Sequence, residues 1–234
     1  MYAETLMPIR EQIALSHRAA IDSYHQVGSW FDAPTRKMIL EEFRFADAGS
    51  CAVCSIQKNA LSPYSHKGEH ESITALPSIV VEVIHKLATD SGRLTERWFK
   101  EVLDQGLSAE EYIEILGCVA TAIVLDTFAF GIGASQLEPQ EPVQTERPSK
   151  TINPDVIKED AWVPVSTRSL ELGPSGLPTI PNIARAMGLV PTAIMQFFSV
   201  MRSHYGLSEL TSELSRSQTE LIAARTSSYN DCFY

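Results

Sequence analysis

The segment from 109 to 130 constrains the fold more than any other part of the chain. It opens on Ser108-Ala-Glu-Glu111, a capping box in which the serine hydroxyl and the N3 glutamate satisfy each other's free backbone N–H groups. Beyond the box the segment is apolar nearly all round, so it is expected to be a central core helix rather than a surface one. Its longest uncharged run, Ile115 to Leu125, lies between Glu114 and Asp126. That run is shorter than the roughly 20 apolar residues needed to span a bilayer. The N-terminus, MYAETLMPIREQ, has no apolar core of the signal-peptide kind. No membrane association is expected, and the expected compartment is the cytoplasm.

The rest of the chain must pack around this helix, and helical periods recur. Residues 9–27 place Ile9, Ile13, Ala20, Tyr24 and Val27 at helical spacing, and 35–48 does the same with Ile39, Phe43 and Ala46, with Thr35 as a plausible cap. In 78–89, Val80, Val83, Ile84 and Leu87 share a face; in 94–104, Leu94, Trp98 and Val102 do, and Gly106 suits the stop. A short helix is expected near 182–188. A strong one covers 191–204, with Pro191 in its first turn and a core stripe of Ile194, Phe197, Phe198 and Met201. A last helix begins near Ser215. No segment of any length alternates apolar and polar residues as a strand would, so the fold class is all-α. The stretch 60–72 reads as a loop. Five prolines between 135 and 165 mark a linker or irregular arm. The domain reading is an N-terminal helical unit over 1–134, a Pro-rich arm over 135–165 and a C-terminal helical unit over 166–234.

Charge narrows the partners. With 29 acidic against 19 basic residues the net charge is −10, which repels phosphate backbones. Nucleic acid is therefore not an expected partner. GIGAS at 131–135 comes after a helix rather than a strand, so it does not read as a dinucleotide-binding loop.

Four cysteines carry the chemistry: Cys51, Cys54, Cys118 and Cys232. In a reducing compartment, spaced cysteines are more often catalytic or metal-binding than structural. Cys118 lies in the apolar helix and reads as core. Cys51-Ala-Val-Cys54 comes after a helix carrying Glu41 and Glu42, and a CxxC pair at a helix start can cycle between dithiol and disulfide. A zinc site would need two more ligands, which His66 and His70 in HKGEH could supply; such histidines are more often solvated loop residues. Near the C-terminus, Asn230 and Asp231 are good N-caps for Cys232. Glu220, three after Ser217, could serve only as a capping-box residue.

The C-terminal residues also carry a resemblance. Glu220, eleven residues and Cys232 match the start of the core motif of the AhpD-like alkyl hydroperoxidase / carboxymuconolactone decarboxylase family, and Ser-Tyr-Asn-Asp-Cys-Phe-Tyr is similar to its usual wording. PNIARAMGLVPTAIMQFFSVM resembles the family's lead-in helices, and 91–133 resembles its late helix pair. The resemblance covers roughly two-thirds of the chain, in an unusual order. Cys51-x-x-Cys54 resembles a degenerate second copy, with Lys58 where the motif has His and Ile39 where it has Glu. The motif's second cysteine would fall at position 235 and its histidine four further on. Some family members carry selenocysteine at that second position, and a selenocysteine codon read as a stop, or a truncation, would end the chain at Tyr234.

The resemblance implies an AhpD-like bundle with two related helix–cysteine units. It implies a thiol- or selenol-dependent alkyl hydroperoxide reductase or disulfide oxidoreductase, acting on a small hydroperoxide with a thiol reductant. Cys232 and Glu220 would be catalytic, and Cys51 and Cys54 a second dithiol, without metal or organic cofactor. A homo-oligomer, dimer or larger, is expected. The alternatives are a carboxymuconolactone-decarboxylase-type lyase, against which a CxxC pair argues, and a non-catalytic oligomeric scaffold.

Overall fold

The computed structural model describes residues 2, 5, 8–142, 146–167, 182–204 and 214–229. The chain is all-α, as its periodicity predicts. Helix α1 (Glu11–Asp22) runs into a 3-10 turn at Ser23–His25; α2 (Ala33–Asp47), α3 (Ala52–Asn59), α4 (Ser78–Thr89), α5 (Glu96–Asp104) and α6 (Ala109–Gly131) come next. After the Pro-rich arm come α7 (Asn182–Met187), α8 (Pro191–His204) and α9 (Arg216–Tyr229).

The helix ends have identifiable causes. Both hydrogen bonds of the Ser108/Glu111 box are made. Gly106, just past α5, has φ +97°, a conformation that only glycine adopts cheaply. The cap of α2 is Asp32 rather than Thr35: its carboxylate accepts from the Thr35 N–H at 2.9 Å, and Pro34 fills the first turn.

Helix α6 is the centre. It packs against α2, α4 and α8, while α2 packs on α4 and α8 on α1. Gly117 makes the α6–α8 contact close, since a Cβ there would stand 2.8 Å from Ala193 Cβ. Length and composition would let α6 cross a membrane, yet 61% of its apolar window is buried inside the fold. Its two flanking acids are spent on ion pairs. Glu114 meets Arg36 at 2.8 Å with both side chains buried, and Asp126 takes a two-pronged bond from Arg44 at 2.8 and 2.9 Å.

One core runs through both halves of the chain: Ile39, Phe43, Ile84 and Ile115 share it with Leu189, Val190, Ala193 and Val200 from the α7–α8 region. The described residues of the arm, 135–142 and 146–165, lie on the body. Val163 is buried in that core and Leu137 packs against it, while Arg44 donates to the Leu137 carbonyl and the Lys150 N–H to that of Ser29. A two-stranded antiparallel ladder, β1 (Val156–Ile157) with β2 (Val165–Ser166), ties the arm to itself. Each strand is two residues long, too short to show an alternating pattern. Phe197 and Phe198 are half-buried against Ala184, Met187 and Ile194.

The α1–α8 seam contains a partly buried polar chain, in which His17 is fully buried. Tyr2 Oη stands 2.8 Å from His17 Nδ1, and His17 Nε2 stands 2.6 Å from His204 Nε2. Burial, with His204 adjacent, pushes the His17 imidazole down to about 4. An imidazole held below its unfolded value of 6.5 is neutral in the fold while the unfolded chain binds a proton. Stability should therefore fall as pH drops from 6.5 toward 4 and lose nothing more to this group below that. Urea midpoints measured from pH 7 to 4 should decline less steeply for His17→Gln than for the unmodified chain; parallel slopes would contradict this.

Candidate functional site

Four elements meet at the CxxC pair. The turn after α2 ends on Gly49, whose φ of +72° lets the chain reverse into α3. Cys51 is the N-cap of α3 and Cys54 lies in its first turn, where the helix dipole favours negative charge. The loop 60–77 crosses over α3 and delivers His70, while α4 supplies His85 from its buried face.

Both thiols are fully buried and free. His70 Nδ1 lies 3.5 Å from Cys51 Sγ and 3.5 Å from Cys54 Sγ. His85 Nδ1 lies 3.2 Å from Cys54 Sγ and 3.2 Å from His70 Nδ1. Each imidazole is backed by a carboxylate on its other nitrogen. His85 Nε2 meets Glu42 Oε1 at 2.8 Å, with both side chains buried, and His70 Nε2 meets Glu82 Oε2 at 3.2 Å. Glu42 also accepts from the hydroxyls of Ser72 and Thr74, and Glu82 from Trp98 Nε1.

These contacts set the electrostatics. Burial raises the Cys51 thiol, but the Cys54 backbone N–H, His70 and the Glu71 backbone N–H donate to it, and the balance lies below the ordinary thiol value. Burial works against protonating His70, yet the thiols and Glu82 hold it up to about 10. His85 goes the other way: burial lowers it, Glu42 resists and His70 adds to the lowering. Burial would raise Glu42, but its three donors hold it below the usual carboxylate range.

A cavity of about 580 Å³ lies beside the cluster, lined among others by Val53, Gln57, His70, Glu82, Lys86 and Trp98. Of the four clustered residues, His70 is the one in its wall. The arrangement can do two kinds of chemistry: a dithiol flanked by proton carriers can be oxidised and reduced, and four convergent Cys and His atoms within 4.8 Å of one another can hold a metal ion.

The structure thus brings Cys51, Cys54 and His70 together. His66 does not join them; its backbone N–H donates to Gln57 Oε1. Glu220 is exposed on α9, 3.8 Å from Arg216, and no residue of α9 is buried. Cys232, with Asn230 and Asp231, lies outside the described residues. Cys118 is buried on α6, and burial pushes its thiol up to about 11. Lys58, at the position where the family motif has its histidine, pairs instead with Asp47 at 2.6 Å.

Sequence reasoning misses His85 and Glu82 altogether and does not give Glu42 a role. A signal for the first two exists: Glu82, His85 and Lys86 interrupt the otherwise apolar SIVVEVIHKLAT at helical spacing, and only Glu82 of the three stays partly exposed. A charged or polar residue buried without cause is costly, so such an interruption implies a partner. No protein-family description, no curated protein and no solved structure matches this chain.

Proposed function

We propose that the chain is a dithiol oxidoreductase that reduces small hydroperoxides at Cys51 and Cys54. The observation that supports this reading is the pairing of two adjacent buried thiols with two imidazoles, each backed by a carboxylate. A thiolate attacks the outer peroxide oxygen; an S–O bond forms, the O–O bond breaks, and the alkoxide leaves as an alcohol after taking a proton. The second thiolate then attacks the sulfenic sulfur. The S–S bond forms, and hydroxide leaves as water with a second proton. An external thiol reductant restores both thiols. His70 and His85 are the proton carriers within reach of the sulfurs, with Glu82 and Glu42 orienting them. Positioned acid–base groups of this kind contribute about 100- to 10,000-fold to such steps.

The test is consumption of an alkyl hydroperoxide by the reduced, metal-free chain with dithiothreitol in excess. Turnover should be present in the unmodified chain and absent from the C51S/C54S double variant. Equal consumption by the two would remove the reading. The resemblance of the C-terminal residues to the AhpD-like motif supports such chemistry at Cys232 and Glu220 only together with the motif's second cysteine at position 235, so C232S in this assay should leave the turnover of the 234-residue chain unchanged.

Self-association belongs to the same reading. Leu221 and Ile222 are exposed on α9, and Phe130 is 88% exposed at the end of α6, leaving apolar surface for a second copy to cover. Sedimentation at micromolar concentration should show a dimer or larger species; a 25.9 kDa monomer would contradict it.

A further inference from the structure

We infer that the reduced chain binds one zinc ion through Cys51 Sγ, Cys54 Sγ, His70 Nδ1 and His85 Nδ1. Four of the six edges of the cluster have lengths close to those of a tetrahedron built on zinc, and all four atoms lie within 4.8 Å of one another. With Zn–S near 2.3 Å and Zn–N near 2.0–2.1 Å, nitrogen–nitrogen edges come to about 3.3 Å and nitrogen–sulfur edges to about 3.5 Å. The structure has 3.2 Å between the two Nδ1 atoms, 3.5 Å from His70 Nδ1 to each sulfur and 3.2 Å from His85 Nδ1 to Cys54 Sγ.

Hydrogen bonding does not account for this convergence as well as a metal does. His70 Nδ1 has three close neighbours, and one proton on it can point at only one of them. A cation at the centre serves all four atoms at once. The outer contacts have the same sense. Glu42 and Glu82 each accept a hydrogen bond from an Nε2–H, so both Nδ1 atoms face inward, and a metal that displaces the proton from His70 Nδ1 meets the lone pairs of both rings. Two carboxylate–histidine pairs behind two ligating rings are the usual outer shell of a zinc centre, and Ser72, Thr74 and Trp98 fix the carboxylates in turn.

Ligand type selects the metal. Two thiolates and two imidazoles suit zinc and exclude magnesium and calcium, which take oxygen donors. The two thiolate charges cancel those of the ion, so a neutral unit is buried. All four positions are filled by protein, so the site is closed and has no place for a reactive water.

The metal and the Cys51–Cys54 disulfide exclude each other, because the disulfide uses both thiolates. A hydroperoxide that oxidised the loaded site would take two zinc-bound thiolates and two protons to disulfide, alcohol and water, and Zn²⁺ would leave. The metal site itself does not rest on the peroxidase reading.

The test uses the full chain, reduced and reconstituted with Zn²⁺ alone. Metal analysis should give about one zinc per chain, and X-ray absorption a first shell of two sulfurs and two nitrogens. Co²⁺ in its place should give thiolate-to-metal charge transfer and the visible bands of a tetrahedral ion. His70→Ala, on the partly exposed loop, should weaken Zn²⁺ binding by roughly 100-fold or more, and C51S likewise. Only trace zinc in the reduced chain, an oxygen-rich shell or an octahedral cobalt spectrum would overturn the site, as would equal affinity in the unmodified chain and His70→Ala. If C51S does not fold, the cobalt spectrum of the unmodified chain still decides. Zinc binding without peroxide turnover upholds the site and removes the peroxidase reading; turnover in a chain that takes up no zinc does the reverse.

Discussion

Cys54→Ser is expected to lower hydroperoxide turnover at least about 100-fold while the chain keeps its helical content. Cys54 is the thiol in contact with both imidazoles, at 3.5 Å from His70 Nδ1 and 3.2 Å from His85 Nδ1. Serine removes sulfur from a fully buried position and offers a hydroxyl to the same His85 nitrogen, so the partner is not stranded. The chemistry is lost regardless. If Cys54 is the attacking thiol, no sulfenic acid forms; if it is the resolving one, the sulfenic acid at Cys51 has no neighbour and waits for external thiol or over-oxidises. Trapping with a sulfenic-acid reagent separates the two roles, since only the variant that keeps the attacking thiol is labelled. Turnover within a factor of two of the unmodified chain would remove Cys54 from the reaction.

Glu114→Ala should cost about 3–5 kcal/mol of folding stability, read as a fall in the urea midpoint. Arg36 and Glu114 are both buried, at 4% and 0% exposure, and bind at 2.8 Å. Glu114 also accepts from the Trp30 N–H at 2.7 Å, and Arg36 also donates to Gln196 at 2.7 Å. These contacts tie α2 and the loop before it to α6 and α8, the seam that joins the two halves of the chain. Alanine leaves the guanidinium in the interior with its carboxylate gone. Burial of an uncompensated charge, rather than loss of the pair's own attraction, sets the magnitude. Replacing both residues, Arg36→Met with Glu114→Leu, should restore much of the loss, because the buried charge goes with its partner. A single variant within about 1 kcal/mol of the unmodified chain would show that the arginine finds water.

The helices are legible wherever local chemistry decides them. The Ser108/Glu111 box marks where α6 starts, and Pro191 in a first turn marks α8, both read from neighbouring residues. The short ladder of β1 and β2 is not legible in this way, because its pairing is set by how the arm folds over the body. The cluster of Cys51, Cys54, His70 and His85 is only half legible. Cys51 and Cys54 stand out by spacing, and His70 by its nearness in sequence. His85 and Glu42 lie 43 positions apart, and only the packing of α2 on α4 brings them to 2.8 Å. No local pattern encodes such a contact. His66 and His70 look alike in HKGEH, and the choice between them falls to the path of the loop, which turns His70 inward and leaves His66 exposed. Glu220 reads as a motif residue by its distance from Cys232, but it stands exposed on α9, 3.8 Å from Arg216 on the same helix.

Peroxide reduction at this site requires that Cys51 and Cys54 form a working dithiol. This is tested most directly by treating the reduced, metal-free chain with one equivalent of alkyl hydroperoxide, blocking free thiols, and weighing the peptide that holds both cysteines. That peptide should lose two hydrogens, regained on treatment with dithiothreitol, and Cys118 should be alkylated only after unfolding. A peptide that stays reduced and takes up two alkyl groups after peroxide would contradict it.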